Sequence, residues 1–221
     1  MIPTKAYILR IDNQFSIAYS KVCAESCDRV GLSYEFFDGY NNLTENDLWA
    51  TVPIKMKINH RMNNRAACAT AGHFMIWDKI AKNKECAIVL EHDAIMFHRV
   101  TIDIPDNLIV ALGYKLYDIN RYDYISAGPT TELVSTQHHA GAHAYAITWK
   151  TAQLLLNELQ ERGVCEAIDN MYFMRDAIVS RIPIAVADPI SAIGWLRKST
   201  IWANSAEMNY RFSNTFLKNY K

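Results

Sequence analysis

No stretch of this sequence is both long and apolar enough to cross a bilayer. The longest apolar runs, Cys86-Ala87-Ile88-Val89-Leu90 and Leu154-Leu155-Leu156, fall far short of the ~20 residues a spanning helix needs. Charge of one sign is missing too. The 221 residues carry 23 Lys and Arg against 23 Asp and Glu, which excludes whole-surface attraction to nucleic acid or an anionic membrane. A local basic groove stays open, since Lys55, Lys57, His60, Arg61 and Arg65 lie close in sequence. Cysteine is sparse and unpatterned. Cys23, Cys27, Cys68, Cys86 and Cys165 form no CxxC pair, so neither a zinc nor a disulfide framework is expected, and a reducing compartment, the cytoplasm, is. The opening Met1-Ile2-Pro3-Thr4-Lys5 lacks the charged-then-apolar pattern of a leader. Internal repeats, low-complexity tracts and linkers are also lacking. What remains is a chain that is 50% hydrophobic, enough for the core of one domain.

The apolar pattern alternates between strand and helix. Residues 5–10 read as a strand, 14–29 as a helix stopped by Gly31, and 34–37 as a second strand. Residues 41–53 are polar and turn-rich, with room for a short helix after Thr44. Residues 66–83 form the clearest helix, with Phe74, Trp77 and Ile80 on one stripe. It leads into 86–90, an unbroken apolar run expected of a strand buried on both faces. A short apolar stretch at 107–112 and strands at 124–127 and 142–148 follow. Thr148 is the expected N-cap of a helix over 150–162 that Gly163 closes. A further helix is expected over 168–178 and a last strand over 184–187. This order predicts one α/β domain around a mostly parallel central sheet.

Ligands gather at the carboxyl ends of strands in such sheets, and the strand at 86–90 runs into Glu91-His92-Asp93. Strand alternation puts Glu91 and Asp93 on one side, about 6–7 Å apart. Hard carboxylate oxygens there suit Mg²⁺ or Mn²⁺ together with a diphosphate. A polar turn with two solvated acids accounts for the triplet alone equally well. His139 and His143 have metal-ligand spacing that, with Asp169, suggests a zinc hydrolase. That reading requires a helix, and Gly141 with the following alternation predicts a turn and a strand.

Four segments carry a resemblance, in order. AYILRIDN with YEFFDGY, then AACATAGHFMIWDKI, then CAIVLEHDAIMF, then GAHAYAITWKTAQLLL resemble the opening strands, helix, acidic strand end and Gly-Thr-His-x-Tyr strand of glycosyltransferase family 25. That group includes bacterial lipooligosaccharide and collagen galactosyltransferases. The resemblance spans most of residues 5–201, with a weaker echo at Ser199-Thr200-Ile201. It implies a single GT-A-like domain over 1–221, with a nucleotide-sugar half over 1–100 and an acceptor half with a closing segment over 101–221. It implies transfer with inversion from a UDP-linked sugar, with Mn²⁺ or Mg²⁺ as cofactor. Asp93, Glu91 and His143 are then the metal candidates. Glu91, Arg10 and Arg65 are candidates for the nucleotide sugar, with Arg197 and Lys198 closing over the diphosphate. Asp169 is the candidate base, ahead of Glu132 and Glu166. A cell-surface glycan is the expected acceptor, a hydroxymethylated DNA base the alternative, and a non-catalytic binding domain a third reading. The sequence departs from the family in three places: His92 replaces an Asp, Gly72 a Ser, and Cys68 stands one position early.

Overall fold

A computed structural model describes residues 1–54, 57–58, 62–113, 128–136, 139, 141–164, 166–173 and 181–194. The expected strand at 124–127 and the segment carrying Arg197 and Lys198 lie outside the described residues, as do Arg61, His138 and Cys165.

The chain begins with β1 (Lys5–Arg10), α1 (Gln14–Arg29) and β2 (Ser33–Asp38). Asn13 caps α1, its side chain accepting from the amides of Phe15 and Ser16. Gly31, at φ +66°, takes the left-handed conformation that ends a helix at little cost. The short helix α2 (Glu45–Thr51) starts on Thr44, whose hydroxyl accepts from the amide of Asp47. Next come α3 (Asn64–Asn83), β3 (Cys86–Glu91), β4 (Ala94–Met96) and β5 (Ile109–Ala111). They are followed by β6 (Glu132–Thr136), β7 (Ala144–Thr148) and α4 (Trp149–Glu161). Thr148 caps α4 as expected, accepting from the amide of Thr151. The expected helix at 168–178 is, in its described part, a π-helical turn over Asp169–Phe173. The chain then forms β8 (Ile184–Asp188) and β9 (Ala192–Gly194).

Seven strands make one sheet in the order β2-β1-β3-β7-β5-β8-β6, and β4 pairs with β9 separately. Five of the seven strands, β2, β1, β3, β5 and β8, run the same way, as expected of a mostly parallel sheet. β2, β1 and β3 run parallel, but β7 is antiparallel to both β3 and β5, and β6 is antiparallel to β8. The sheet is therefore mixed, with β7 and β6 as its two opposed strands.

Alternation along β3 sends Cys86, Ile88 and Leu90 into one apolar layer with Cys23 and Cys27 of α1. Ala87 and Val89 join the opposite layer with Phe74, Trp77 and Ile80 of α3 and Leu155 and Leu159 of α4. Both faces are covered, which is why 86–90 reads as continuous apolar sequence. Each such fully buried Leu or Ile contributes roughly 1.5–3 kcal/mol. α3 lies close enough to β1 that a Cβ on Gly72 would sit 2.8 Å from Leu9 Cδ1.

Candidate active site

The carboxyl ends of β2, β1 and β3 form one edge. Register pairs Arg10 with Asp38 and Leu9 with Glu91, so Asp38, Arg10 and Glu91 succeed one another across three strands. Two loops are tied there: the amide of Gly39 donates to the Arg10 carbonyl at 2.7 Å, and Asn41 Nδ2 to the Asp12 carbonyl at 2.7 Å. Arg10 Nε donates to Asp38 Oδ1 at 2.6 Å, and its guanidinium lies 4.2 Å from the Phe36 ring centroid. Arg10 thus stands at the expected edge, engaged by a carboxylate and an aromatic face.

Glu91 ends β3 on the α3 side of the sheet. Its Oε1 lies 3.4 Å from His73 Nε2, at the long end for such a bond. His73 Nδ1 is 2.9 Å from the Tyr145 hydroxyl, and Trp77 Nε1 donates to that same hydroxyl at 2.7 Å. His73, Tyr145 and Trp77 are fully buried, while the Glu91 side chain keeps 30% exposure. The carboxylate is therefore half in solvent and half against an ordered polar chain. Burial pushes the Tyr145 phenol well up, with the Glu91 charge adding to the rise and the Trp77 bond opposing it. The phenol stays protonated. Sequence reading did not single out Tyr145 as a partner of this helix. The signal was the aromatic at alternate spacing from His143 on one strand.

Asp93 departs from expectation. β3 stops at Glu91, and His92 and Asp93 form the turn into β4, so strand alternation no longer sets where Asp93 points. His92 faces α1, stacking on Tyr19 with ring centroids 6.2 Å apart at 10°. Asp93 is half-buried and lies within electrostatic reach of Cys23 on α1. Burial drives the Cys23 thiol well up, with the neighbouring Cys27 and then Asp93 adding to it. Glu91 contacts His73 of α3, while Asp93 acts electrostatically on Cys23 of α1, so the two acids have different neighbours.

His143 sits directly across from Glu91. Leu90 pairs with Ala144, and the Glu91 amide donates to the His143 carbonyl at 2.8 Å, continuing the antiparallel ladder by one residue. Opposed residues in such a ladder share a face, with Cβ atoms about 4.5–5.5 Å apart. His143 is buried and its ring lies on Gly194 of β9, where a Cβ would meet ring Cγ at 2.7 Å. The His139 ring is also buried, 6.0 Å from His143. No three His, Cys, Asp or Glu side chains among the described residues gather as a metal cage. His143 leads into a strand and not a helix, as Gly141 and the alternation after it predict.

Asp169 opens the π-helical turn and is half-buried, its Oδ1 accepting from the Asn170 amide at 3.1 Å. The preceding amide, of Ile168, donates to Thr70 Oγ1 of α3 at 3.2 Å. Thr70, His73 and Trp77 lie on one helix face, so α3 ties the Asp169 turn, the Glu91 end and the β7 strand together. The far end of that turn is fixed by the His139 amide, which donates to the Phe173 carbonyl at 2.8 Å.

α3 runs antiparallel to β3, so its first turn projects beyond the same edge. Arg65 is exposed there, about 12 Å along the helix axis from His73. Glu132 lies on β6, four strands from β3, or about 19 Å across the sheet. Glu166 is half-exposed near Asp169 in sequence.

The family model of glycosyltransferase family 25 (LPS biosynthesis protein) matches residues 16–172. No curated protein matches the sequence. Among solved structures, a glycosyltransferase involved in glycosylation of the major capsid of PBCV-1 is 13% identical, with a TM-score of 0.49, over 89% of this chain and 95% of the other. The apo form of the glycosyltransferase GlyE from Streptococcus pneumoniae is 11% identical, with a TM-score of 0.42, over 100% of this chain and 60% of the other. A mutant Drosophila β1,4-galactosyltransferase 7 in complex with manganese, UDP-Gal and xylobiose is 7% identical, with a TM-score of 0.37, over 89% and 96%.

Proposed function

Because the chain belongs to glycosyltransferase family 25, we propose that it moves a sugar from a UDP-linked donor to a hydroxyl of a surface glycan, with inversion. The observation that carries this is the acidic end of β3, placed at the carboxyl edge of the sheet beside Arg10 and across from His143. Residues 1–221 are read as one domain, with the donor on the 1–100 half and the acceptor on the 101–221 half. A sheet that draws strands from both halves supports this.

The donor set fits a hard divalent cation. Mg²⁺, and Mn²⁺ in the same role, is commonly held by one or two carboxylates plus substrate phosphates rather than by an all-protein cage. Glu91 and Asp93 supply the carboxylates, and His143 is the neighbouring imidazole on the Glu91 face. Mn²⁺ or Mg²⁺, when bound, offsets the charge that the departing diphosphate takes up. Arg10 and Arg65 border the nucleotide and its phosphates, with Arg197 and Lys198 assigned to the same task. Asp169 accepts the proton of the acceptor hydroxyl as its oxygen bonds to the anomeric carbon. The bond from that carbon to the diphosphate breaks, and its electron pair leaves with UDP.

No helix among the described residues is long and apolar enough to cross a membrane. We assign the protein to the cytoplasm, in keeping with the free, buried thiols of Cys23, Cys27, Cys68 and Cys86.

Thermal unfolding with UDP-galactose tests the donor and metal together. At a hundredfold excess over Kd, binding stabilises the fold by about 2.7 kcal/mol. The melting temperature should rise with Mn²⁺ present and not in EDTA. An equal rise in both, or no rise in either, contradicts a metal-bridged UDP donor.

A further inference from the structure

We propose that His73 is a positioning residue for Glu91, held by Tyr145 and Trp77 with its Nε2–H toward the carboxylate so that it orients that group at the donor site. The inference rests on the reading of Glu91 as a donor-site group.

The direction of the chain follows from counting protons. Trp77 Nε1 can only donate, and it does so to the Tyr145 oxygen at 2.7 Å. The Tyr145 hydroxyl has a single proton to give. Its other close partner is His73 Nδ1 at 2.9 Å, so Nδ1 accepts. The ring's other nitrogen, Nε2, faces Glu91 Oε1 at 3.4 Å, and since a carboxylate only accepts, Nε2 carries the proton there. The opposite tautomer would turn a bare ring nitrogen toward the carboxylate. It would also leave the phenol proton without its nearest acceptor, a costly loss where His73 and Tyr145 are both fully buried. Each link therefore fixes the next, from an indole locked in the core to a half-exposed carboxylate.

This is the logic of outer groups that orient a metal-site ligand, whose loss commonly costs 10–100-fold in affinity or activity. α3 supplies both His73 and Trp77 one helical turn apart, and β7 supplies Tyr145 two residues beyond His143. The chain thus locks Glu91 from the face it shares with His143.

The test separates positioning from packing with two amides. A glutamine places its donor near the Nε2 position, and an asparagine near the Nδ1 position. His73→Gln should keep the contact with Glu91 and retain UDP-galactose and Mn²⁺ affinity within about threefold of wild type. His73→Asn keeps the Tyr145 side and should lose about 10–100-fold in that affinity. Imidazole ¹⁵N spectra of the wild-type chain, taken without donor or metal, should show His73 as the Nε2–H tautomer. Tyr145→Phe should abolish that preference. An Nδ1–H tautomer in wild type, or equal losses in the two amide variants, overturns the proposal. Glu91→Gln is measured alongside: wild-type affinity and turnover there would sink the donor-site reading itself, and this inference with it. Collapse in Glu91→Gln with equal amide variants would sink only the positioning role.

Discussion

At the residue scale, Asp169 opens a short helical turn that a neighbouring helix helps to hold. Its Oδ1 accepts from the adjacent Asn170 amide, and Thr70 holds the Ile168 amide just before the turn. Removing its charge therefore need not unfold the turn. Asp169→Asn should leave UDP-galactose affinity near wild type and lower turnover by about 10²–10⁴-fold, the usual worth of a positioned base. Turnover within a few-fold of wild type would move the base to Glu166. Gly72 and His92, two of the three departures from the family pattern, have local physical reasons. Gly72 accommodates Leu9, which a Cβ would approach to 2.8 Å. His92 trades a carboxylate for a stacked contact with Tyr19. Both substitutions were plain in the sequence. Their partners were not, because Leu9 and Tyr19 come from distant segments, and only the assembled sheet brings them close.

At the scale of elements, the edge strand β2 is fastened to its neighbours by charge as well as by the ladder. Glu35 accepts from Lys5 Nζ of β1 at 2.6 Å and from Lys79 of α3. The Lys5 bond, then the Lys79 bond, hold its carboxyl below its ordinary value of 4.5. A depressed carboxyl stabilises the fold above its unfolded pKa, and that stability is lost as pH falls through the folded value. Glu35 and Lys79 are each about a third exposed, so solvent screening limits the effect to about 1 kcal/mol or less. Urea unfolding of Glu35→Gln should therefore show a stability deficit at neutral pH that closes in acid. A deficit of constant size across that range would assign Glu35 a packing role instead. Elements with strong local signals matched the sequence reading: α1 with Gly31, α4 with Thr148, and the apolar run of β3. Those that did not, β4, β6 and β9, are three to five residues long. They exist through pairing with distant partners such as Ile193 for Ile95, which no local pattern reports.

At the scale of the whole molecule, the reversal at β7 is what the sequence hid and what the site needs. A βαβ reading of alternating strands predicts parallel neighbours. The antiparallel placement of β7 instead brings His143 opposite Glu91 and Tyr145 opposite Val89. The strand end at 91 was legible because its apolar run stops there abruptly. The face of Asp93 was not, because the chain turns one residue before alternation can place it. α3 then joins the acidic end, the β7 imidazole strand and the Asp169 turn through Thr70, His73 and Trp77. The central claim is that this acidic end holds the donor diphosphate through a divalent cation. Turnover of Asp93→Asn at saturating Mn²⁺ tests it most directly, since the change keeps size and hydrogen bonding and removes only charge. With thermal stability near wild type, the account predicts weaker UDP-galactose binding and a loss of at least about a hundredfold in turnover. A folded Asp93→Asn protein with wild-type turnover would show that the triplet is a polar turn and would contradict the account.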